Sequence, residues 1–366
     1  MNKRTEFCSS RQTPIRDINE WKRRLDSELN VPQIDSTPAV STAAHLAEKA
    51  ALLLLAWLNL VCPHRFERRN PWHSCVFENV CRVQARARGD GCRLNGWATN
   101  PRDAVGTVIL THGFREDSQE VSGVLFAEKV CSATNMAIVA VDLRWHGGSH
   151  KFPPTFGLAE SWDLSGAMDW AETNGYPHPY VLCGGSLGGL AVQLCAGLDE
   201  RVSGAFIKSS PPSAEAALSK GLTDARAART LLALRFLARR YAWLTRTCYR
   251  RNIIAEGDIS RYDSNPSHSP LIFYLVGELD KYGYAETKAS FAHWYPDDTA
   301  FSFEALPSEA PLQRKWFRTM IGRGHRMGSD AGALVTDYAC TFFRHVLQIH
   351  RGRGVERDSL GHTNPK

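Results

Sequence analysis

The most constraining feature of this sequence is a series of short apolar runs, each followed by a helix-favouring stretch. Runs such as AIVAV at 137–141 and LIFYLV at 271–276 are apolar throughout and do not alternate with polar residues. This pattern indicates strands buried on both faces, and hence a mostly parallel sheet between two helix layers. The strand candidates are residues 105–111, 137–141, 180–183, 202–208, 271–276 and 300–305. The helix candidates are residues 119–132, 159–172, 187–196, 285–294 and 331–348.

An antiparallel hairpin is expected before these units. Residues 76–87 and 93–98 read as strands on either side of the turn signal Asp90-Gly91. A hairpin followed by repeated strand–helix units predicts an α/β layered protein. Open sheets of this kind bind ligands at the carboxyl ends of their strands, where we expect the functional residues.

The 366 residues divide into regions of different character. Residues 1–42 are polar and carry no early apolar core, which predicts a poorly ordered extension and no secretory signal. Residues 43–72 contain an apolar helix and a basic linker. Residues 73–350 form the α/β domain, with a helical insertion at about 211–269, and residues 351–366 form a polar tail.

Two segments leave alternatives open. The thirteen-residue apolar run 50–62 is shorter than the roughly 20 residues that span a bilayer. It reads as a helix packed on the main domain, with membrane association as the alternative. Residues 222–252 in the insertion interleave arginines with apolar side chains. They read as a lid with an apolar underside; the alternatives are a surface for anionic lipid and a site for an acidic substrate or partner.

The cysteines, the net charge and the motifs of the sequence bear on which metals, nucleic acids and cofactors the protein is expected to bind. None of the ten cysteines has C-x-x-C spacing, so a structural zinc site is not expected. Their place in apolar runs suggests a reducing compartment, and we expect a cytoplasmic protein. A net charge of +6 is only mildly basic and does not call for nucleic acid. No phosphate-binding loop, dinucleotide fingerprint or metal motif is visible, so no cofactor is expected.

The sharpest motif is Gly184-Gly185-Ser186-Leu187-Gly188, which lies between an apolar run and a helical stretch. It is a G-x-S-x-G nucleophile elbow, in which a tight turn lifts the serine hydroxyl to the edge of the sheet. Side chains at the flanking glycines would clash with the neighbouring strand and helix. Ser186 is therefore the candidate nucleophile.

Two further motifs follow buried strands: His112-Gly113-Phe114 and the stretch DLRWHGGS at 142–149. With these motifs in this order, the chain resembles the α/β-hydrolase superfamily, in particular its acylglycerol-lipase and serine-aminopeptidase-like esterases. Those enzymes carry H-G-x, D-x-R-G-x-G-x-S and G-x-S-x-G in the same order. Trp145 stands where the family usually has glycine. The resemblance implies that Asp142, Arg144 and His146 organise loops, with His146 as a base only a lesser alternative.

The resemblance also implies where the remaining site residues lie. The N–H groups of Phe114 and Leu187 are the candidate oxyanion hole; an ordinary turn with an incidental histidine is the alternative for the first motif. The acid follows the strand after the insertion, at Asp280, with Glu278 as the fallback. The base lies between the last strand and the last helix, at His325 in a glycine-rich loop. The stretch 305–322 is longer than in the family, and its Trp316 and Phe317 are expected to pack near the site.

These residues predict a serine hydrolase of the α/β-hydrolase fold that cleaves a carboxylic ester, or a thioester or amide, through an acyl-enzyme. The expected partner is a small-molecule acyl ester, lipids included, with peripheral membrane contact through residues 43–69 and the basic lid left open. Two alternatives remain: an acyltransferase that uses the same three residues, and a low-turnover receptor of the same fold.

Overall fold

The computed structural model describes residues 68–152, 154–213, 270–280, 315–321, 323, 325 and 331–360. The strands are β1 (Cys81–Arg86), β2 (Arg93–Thr99), β3 (Thr107–Thr111), β4 (Ala137–Val141), β5 (Tyr180–Gly185), β6 (Val202–Lys208), β7 (Leu271–Gly277) and β8 (Lys315–Met320). The helices are α1 (Val121–Thr134), α2 (Leu158–Thr173), α3 (Leu187–Leu198) and α4 (Ala331–Leu360), preceded by a short 3-10 helix at Pro71–His73.

The eight strands form one sheet in the order β1-β2-β4-β3-β5-β6-β7-β8. The hairpin β1–β2 is antiparallel and joins the sheet through an antiparallel pairing of β2 with β4. The remaining strands, from β4 across to β8, pair in parallel. The predicted mostly parallel sheet and its leading hairpin are therefore confirmed.

Helices cover both faces of this sheet. Side chains of α2 and α3 pack on one face, whereas α1 and α4 pack on the other. Along β4, Val139 packs on the face covered by α2 and α3, and Ile138 packs on the face covered by α1 and α4. Neither side chain is exposed to solvent. Because successive strand residues point to opposite faces, burial on both sides requires apolar residues at every position. This is the physical reason for the continuous apolar runs.

The strand that follows β7 in the sheet was not predicted. Residues 300–305, the candidate for that strand, lie outside the described residues, as do residues 1–67, the candidate helix 285–294 and nearly all of the insertion. The strand that pairs with β7 is Lys315–Met320, within the stretch noted for its unusual length. Trp316 and Met320 are buried, but the three residues between them are partly exposed, and the strand lacks the apolar run by which the other strands were recognised. Helix α4 also continues to Leu360, into the predicted polar tail.

The parallel strands bring the ends of β3, β5, β6, β7 and β8 to the same edge of the sheet. Thr111 pairs with Gly184, Gly185 with Lys208, and Gly277 with Met320. A predicted site residue follows β3, β5, β7 and β8 within a few positions, and β6 supplies the Lys208 carbonyl that accepts the N–H of Ser186. In the ranges that the structure describes, no helix combines the length and apolarity that crossing a bilayer requires.

Candidate active site

Ser186 occupies the sharp turn between β5 and α3. Its backbone has φ 52° and ψ −117°, a strained conformation for a residue with a side chain. Two glycines make the turn possible: a Cβ on Gly184 would lie 2.7 Å from the carbonyl carbon of Gly188. A Cβ on Gly188 would lie 2.5 Å from the carbonyl oxygen of His112. The N–H of Ser186 donates to the carbonyl of Lys208 at 2.9 Å, which anchors the turn on β6.

The structure brings Ser186, His325 and Asp280 together from three loops. His325 Nε2 lies 3.1 Å from Ser186 Oγ, and His325 Nδ1 lies 3.0 and 3.1 Å from the two carboxylate oxygens of Asp280. A carboxylate can only accept, so Nδ1 carries the proton and Nε2 is left to accept from the serine hydroxyl. The Asp280 carboxylate is 3% exposed and the His325 ring 23%, so the base faces the open side of the site and the acid lies beneath it.

The acid and the base are held in register by the backbone between β7 and β8. The N–H of Asp280 donates to the carbonyl of Gly277 at 3.0 Å and closes the turn after β7. The N–H of Glu278 donates to the carbonyl of Met320, also at 3.0 Å. Glu278, the fallback acid, is itself exposed in this turn, and the carboxylate in contact with His325 belongs to Asp280.

The two candidate oxyanion donors flank this arrangement. Leu187 is the first residue of α3, where the helix dipole favours negative charge. Phe114 lies in the loop after β3, and Gly188 approaches that loop closely. In the described part of the chain, neither the Phe114 N–H nor the Leu187 N–H makes a hydrogen bond. The loop itself is braced by Glu116, whose carboxylate accepts the N–H of Gly113 at 2.7 Å.

The loop after β3 is fastened to the loop after β4. One carboxylate oxygen of Asp142 accepts the N–H of Ser118 at 2.7 Å, and the other accepts the N–H of Gly148 at 2.8 Å. His112 adds a second link, because its Nε2 accepts the N–H of Leu143 at 3.0 Å. Its protonated Nδ1 then donates to the carbonyl of Gly113 at 2.7 Å.

Arg144 anchors the loop after β4 in the protein interior. Its side chain is fully buried and pairs with Asp163 of α2 and with Asp90 of the hairpin turn, each at 2.7 Å. Burial raises the pKa of the Asp163 carboxyl, and the charge of Arg144 opposes that shift. Trp145 follows with φ 71°, in the left-handed region. This explains the family's preference for glycine at this position, and here a tryptophan adopts the same backbone at a cost in strain.

His146 supports the ring of Phe114. Its Nδ1–H donates to the carbonyl of Arg144 at 2.9 Å, and its ring meets that of Phe114 edge-on with 5.6 Å between centroids. Burial, with a smaller contribution from His112, lowers the pKa of His146 to about 3, so the ring is neutral at physiological pH. The histidine in contact with Ser186 is His325.

No cluster of three or more histidine, cysteine or acidic side chains in the described ranges could hold a metal ion. The groups that the structure places together here are a serine hydroxyl, an imidazole and a carboxylate. A buried carboxylate behind an imidazole, and an imidazole behind a hydroxyl, form the arrangement that activates a serine for nucleophilic attack.

The fold is similar to those of solved esterase structures. The structure is similar to that of the esterase Pf2001 from Pyrococcus furiosus, with 16% identity over 77% of this chain and 96% of that chain and a TM-score of 0.54. It is also similar to Est1E from Butyrivibrio proteoclasticus, solved with ferulic acid bound, with 17% identity over 71% of this chain and 97% of that chain and a TM-score of 0.51. At these identities the likeness shows the fold. Comparison with curated proteins found no match.

The sequence match is more specific. Residues 108–337, well over half of the chain, match the Alpha/beta hydrolase family. The matched range contains Ser186, Asp280 and His325, together with the motif-bearing loops after β3 and β4. The acylglycerol-lipase branch stays an interpretation of the sequence motifs. The chain belongs to the alpha/beta hydrolase family.

Proposed function

We propose that this protein is a serine esterase that hydrolyses a carboxylic ester through an acyl-enzyme. Ser186 is the nucleophile, His325 the general base and Asp280 the residue that orients the base. The observation that carries this proposal is the continuous chain of contacts from Asp280 through His325 to Ser186, with each link at 3.0 to 3.1 Å. Such distances are within hydrogen-bond reach even before substrate binds.

In the first half-reaction, Ser186 Oγ attacks the ester carbonyl carbon and its proton passes to His325 Nε2. The resulting imidazolium is stabilised by the buried Asp280 carboxylate. The negative charge on the carbonyl oxygen is stabilised by the N–H groups of Phe114 and Leu187. The tetrahedral intermediate collapses, the bond to the alcohol breaks, and His325 gives its proton to the departing alkoxide. Ser186 is left acylated.

In the second half-reaction, water takes the place of the alcohol. His325 removes a proton from the water as it attacks the acyl carbon, and returns that proton to Ser186 Oγ when the acid leaves. Atoms and protons balance over the cycle: one ester and one water give one acid and one alcohol. The side chains named supply all of the proton transfers.

The experiment that tests the proposal is labelling with a fluorophosphonate probe, which reacts with activated serines. The wild type should label, and Ser186→Ala should not. Ser122→Ala is the matched control, because Ser122 is exposed on α1 and its hydroxyl donates to Glu120 at the N-terminus of that helix. It should label as the wild type does. Labelling that persists in Ser186→Ala, or no labelling of the folded wild type, would refute the proposed nucleophile.

A further inference from the structure

Arg115 directly follows Phe114, and part of its guanidinium is buried without a hydrogen-bond partner in the described part of the chain. Two of its three nitrogens, Nε and Nη2, are buried and have no hydrogen-bond partner in the part of the chain that the structure describes. Buried charges in proteins are normally paired, because removing an ion from water costs several kcal/mol in practice. An arginine with buried, unpaired nitrogens in the free protein is therefore a candidate for binding an anionic ligand.

The acidic residues near Arg115 are already engaged elsewhere. Glu116 accepts the N–H of Gly113 through Oε2. Asp117 pairs with Arg68 at 2.5 Å. The carboxylate of Asp142, in the adjacent loop, accepts one backbone N–H on each oxygen. These carboxylates hold the two loops in shape, and none of them forms a hydrogen bond with the buried Nε or Nη2 of Arg115.

Arg115 is the chain neighbour of the proposed oxyanion donor Phe114. Consecutive Cα atoms are about 3.8 Å apart, so the Arg115 side chain begins one residue from the Phe114 N–H that would face the oxyanion. Its backbone has φ 70°, in the left-handed region that residues with side chains seldom adopt. Strained residues of this kind cluster at ligand-binding sites, where the surrounding structure maintains them.

We propose that Arg115 is a specificity-determining residue that selects esters carrying a second, anionic carboxylate. The inference rests on the proposed esterase function and adds the substrate class. The guanidinium presents its donors in a planar fork that matches the two oxygens of a carboxylate. A substrate carboxylate would give the buried Nε and Nη2 the partners that the free protein lacks. The carboxylate can lie on the acyl half or on the alcohol half of the ester.

Two matched substrate pairs test this proposal and separate the two halves. For the acyl half, the 4-nitrophenyl monoester of adipic acid is compared with 4-nitrophenyl hexanoate. For the alcohol half, 4-acetoxybenzoate is compared with its methyl ester. In at least one pair the wild type should prefer the anionic member in kcat/KM by about tenfold or more, the range expected for a hydrogen bond to a charged group. Arg115→Gln should abolish that preference.

The control is Arg102→Gln, which makes the same charge change in an exposed turn before β3, at the opposite end of that strand from the site. It should keep the preference of the wild type and hydrolyse the neutral esters within about twofold of wild type. Equal kcat/KM for both members of each pair in the wild type, or a preference that survives in Arg115→Gln, would overturn the proposal. In those cases hydrolysis of the neutral esters and labelling of Ser186 would still support the esterase function.

A stability measurement provides a readout that does not depend on turnover. Because the guanidinium is unpaired in the free protein, Arg115→Met, which keeps the apolar stem, should raise the melting temperature by about 2 °C or more. Adipate added at saturating concentration should stabilise the wild type but not Arg115→Met if the acyl half carries the carboxylate, and 4-hydroxybenzoate should do so if the alcohol half does. A lower melting temperature in Arg115→Met would show that the guanidinium is satisfied without a ligand, and would overturn the proposal.

Discussion

The N–H of Leu279 donates to the carbonyl of Arg323 at 2.7 Å, which ties the turn that carries the acid to the loop that carries the base. Together with the bond from Glu278 to Met320, this link continues the pairing of β7 with β8 beyond the last paired residues of the strands. Asp280 and His325 lie 45 positions apart in the sequence, yet backbone hydrogen bonds join the segments that directly precede them. These backbone bonds bring the turn of Asp280 and the loop of His325 together, and the contact of the imidazole with the Asp280 carboxylate then orients the ring.

This arrangement predicts different outcomes for the two acidic residues of the turn. Asp280→Asn should lower kcat by about 10³- to 10⁴-fold, because an amide in place of the carboxylate favours the wrong histidine tautomer. Glu278→Gln should stay within about twofold of wild type, because Glu278 is exposed. Steady-state hydrolysis of a neutral 4-nitrophenyl ester measures both. A large loss in Glu278→Gln beside an active Asp280→Asn would assign the acid to Glu278 instead.

The close approach of α3 to the loop after β3 predicts a steric effect. Gly188→Ala would place a methyl group 2.5 Å from the carbonyl oxygen of His112 and 2.8 Å from Cγ2 of Thr111. Backbone must move to admit it, at a cost of about 1–3 kcal/mol in the free energy of unfolding. The same movement displaces the Phe114 N–H, so kcat should fall while KM changes little.

Gly332→Ala is the matched control for this substitution. Gly332 lies in helix α4, and within the described part of the chain the Cβ that the substitution would add meets nothing within 4 Å apart from its own chain neighbours and the helix backbone. There the substitution should leave kcat unchanged and raise the free energy of unfolding by up to about 1 kcal/mol. Urea unfolding and ester hydrolysis measure the two effects. Wild-type stability and kcat in Gly188→Ala would contradict the close approach.

The sequence predicted an element best where a single local requirement, such as burial on both faces or a tight turn, determined its residues. Strands buried on both faces require apolar residues, so the wholly apolar β4 was predicted with its observed bounds, as was β6 around its buried stretch 204–207. The nucleophile turn could be identified because Gly184 and Gly188 are required by contacts within one strand–turn–helix unit. By contrast, β8 is the last strand of the sheet in the described ranges, and its Lys315 and Arg318 interrupt the apolar run that would have identified it.

The contacts among the loops could not be read from the sequence. The resemblance implied that Asp142, Arg144 and His146 organise loops, but not that Arg144 pairs with Asp163 and Asp90, from a helix and from a hairpin. Such partners depend on how distant elements pack and leave no periodic signal. Arg115 was missed for a related reason, because its significance lies in the partners that it lacks. Its place directly after Phe114 was the only signal available.

The buried pair of Arg144 and Asp163 predicts a large asymmetry between single and double substitutions. Both side chains are fully buried. Arg144→Met leaves the Asp163 carboxylate without its counterion and should lower the free energy of unfolding by about 3–5 kcal/mol. Adding Asp163→Leu removes the fully buried unpaired charge and leaves only the partly exposed Asp90 without Arg144, so the double variant should recover part of that loss. Urea unfolding of the wild type and the three variants measures the coupling; additive losses would contradict it.

The buried His146 predicts a pH dependence of stability. Its pKa is about 3 in the folded protein and about 6.5 in the unfolded chain, so the unfolded state binds more protons between these values. Stability is therefore lost as the pH falls below about 6.5, by up to about 1.4 kcal/mol per pH unit from this group alone. His146→Gln removes the titrating group, so its free energy of unfolding should fall less steeply than that of the wild type between pH 7 and pH 4.5. Urea unfolding over this range gives both slopes, and parallel slopes would mean that His146 titrates normally in the folded protein.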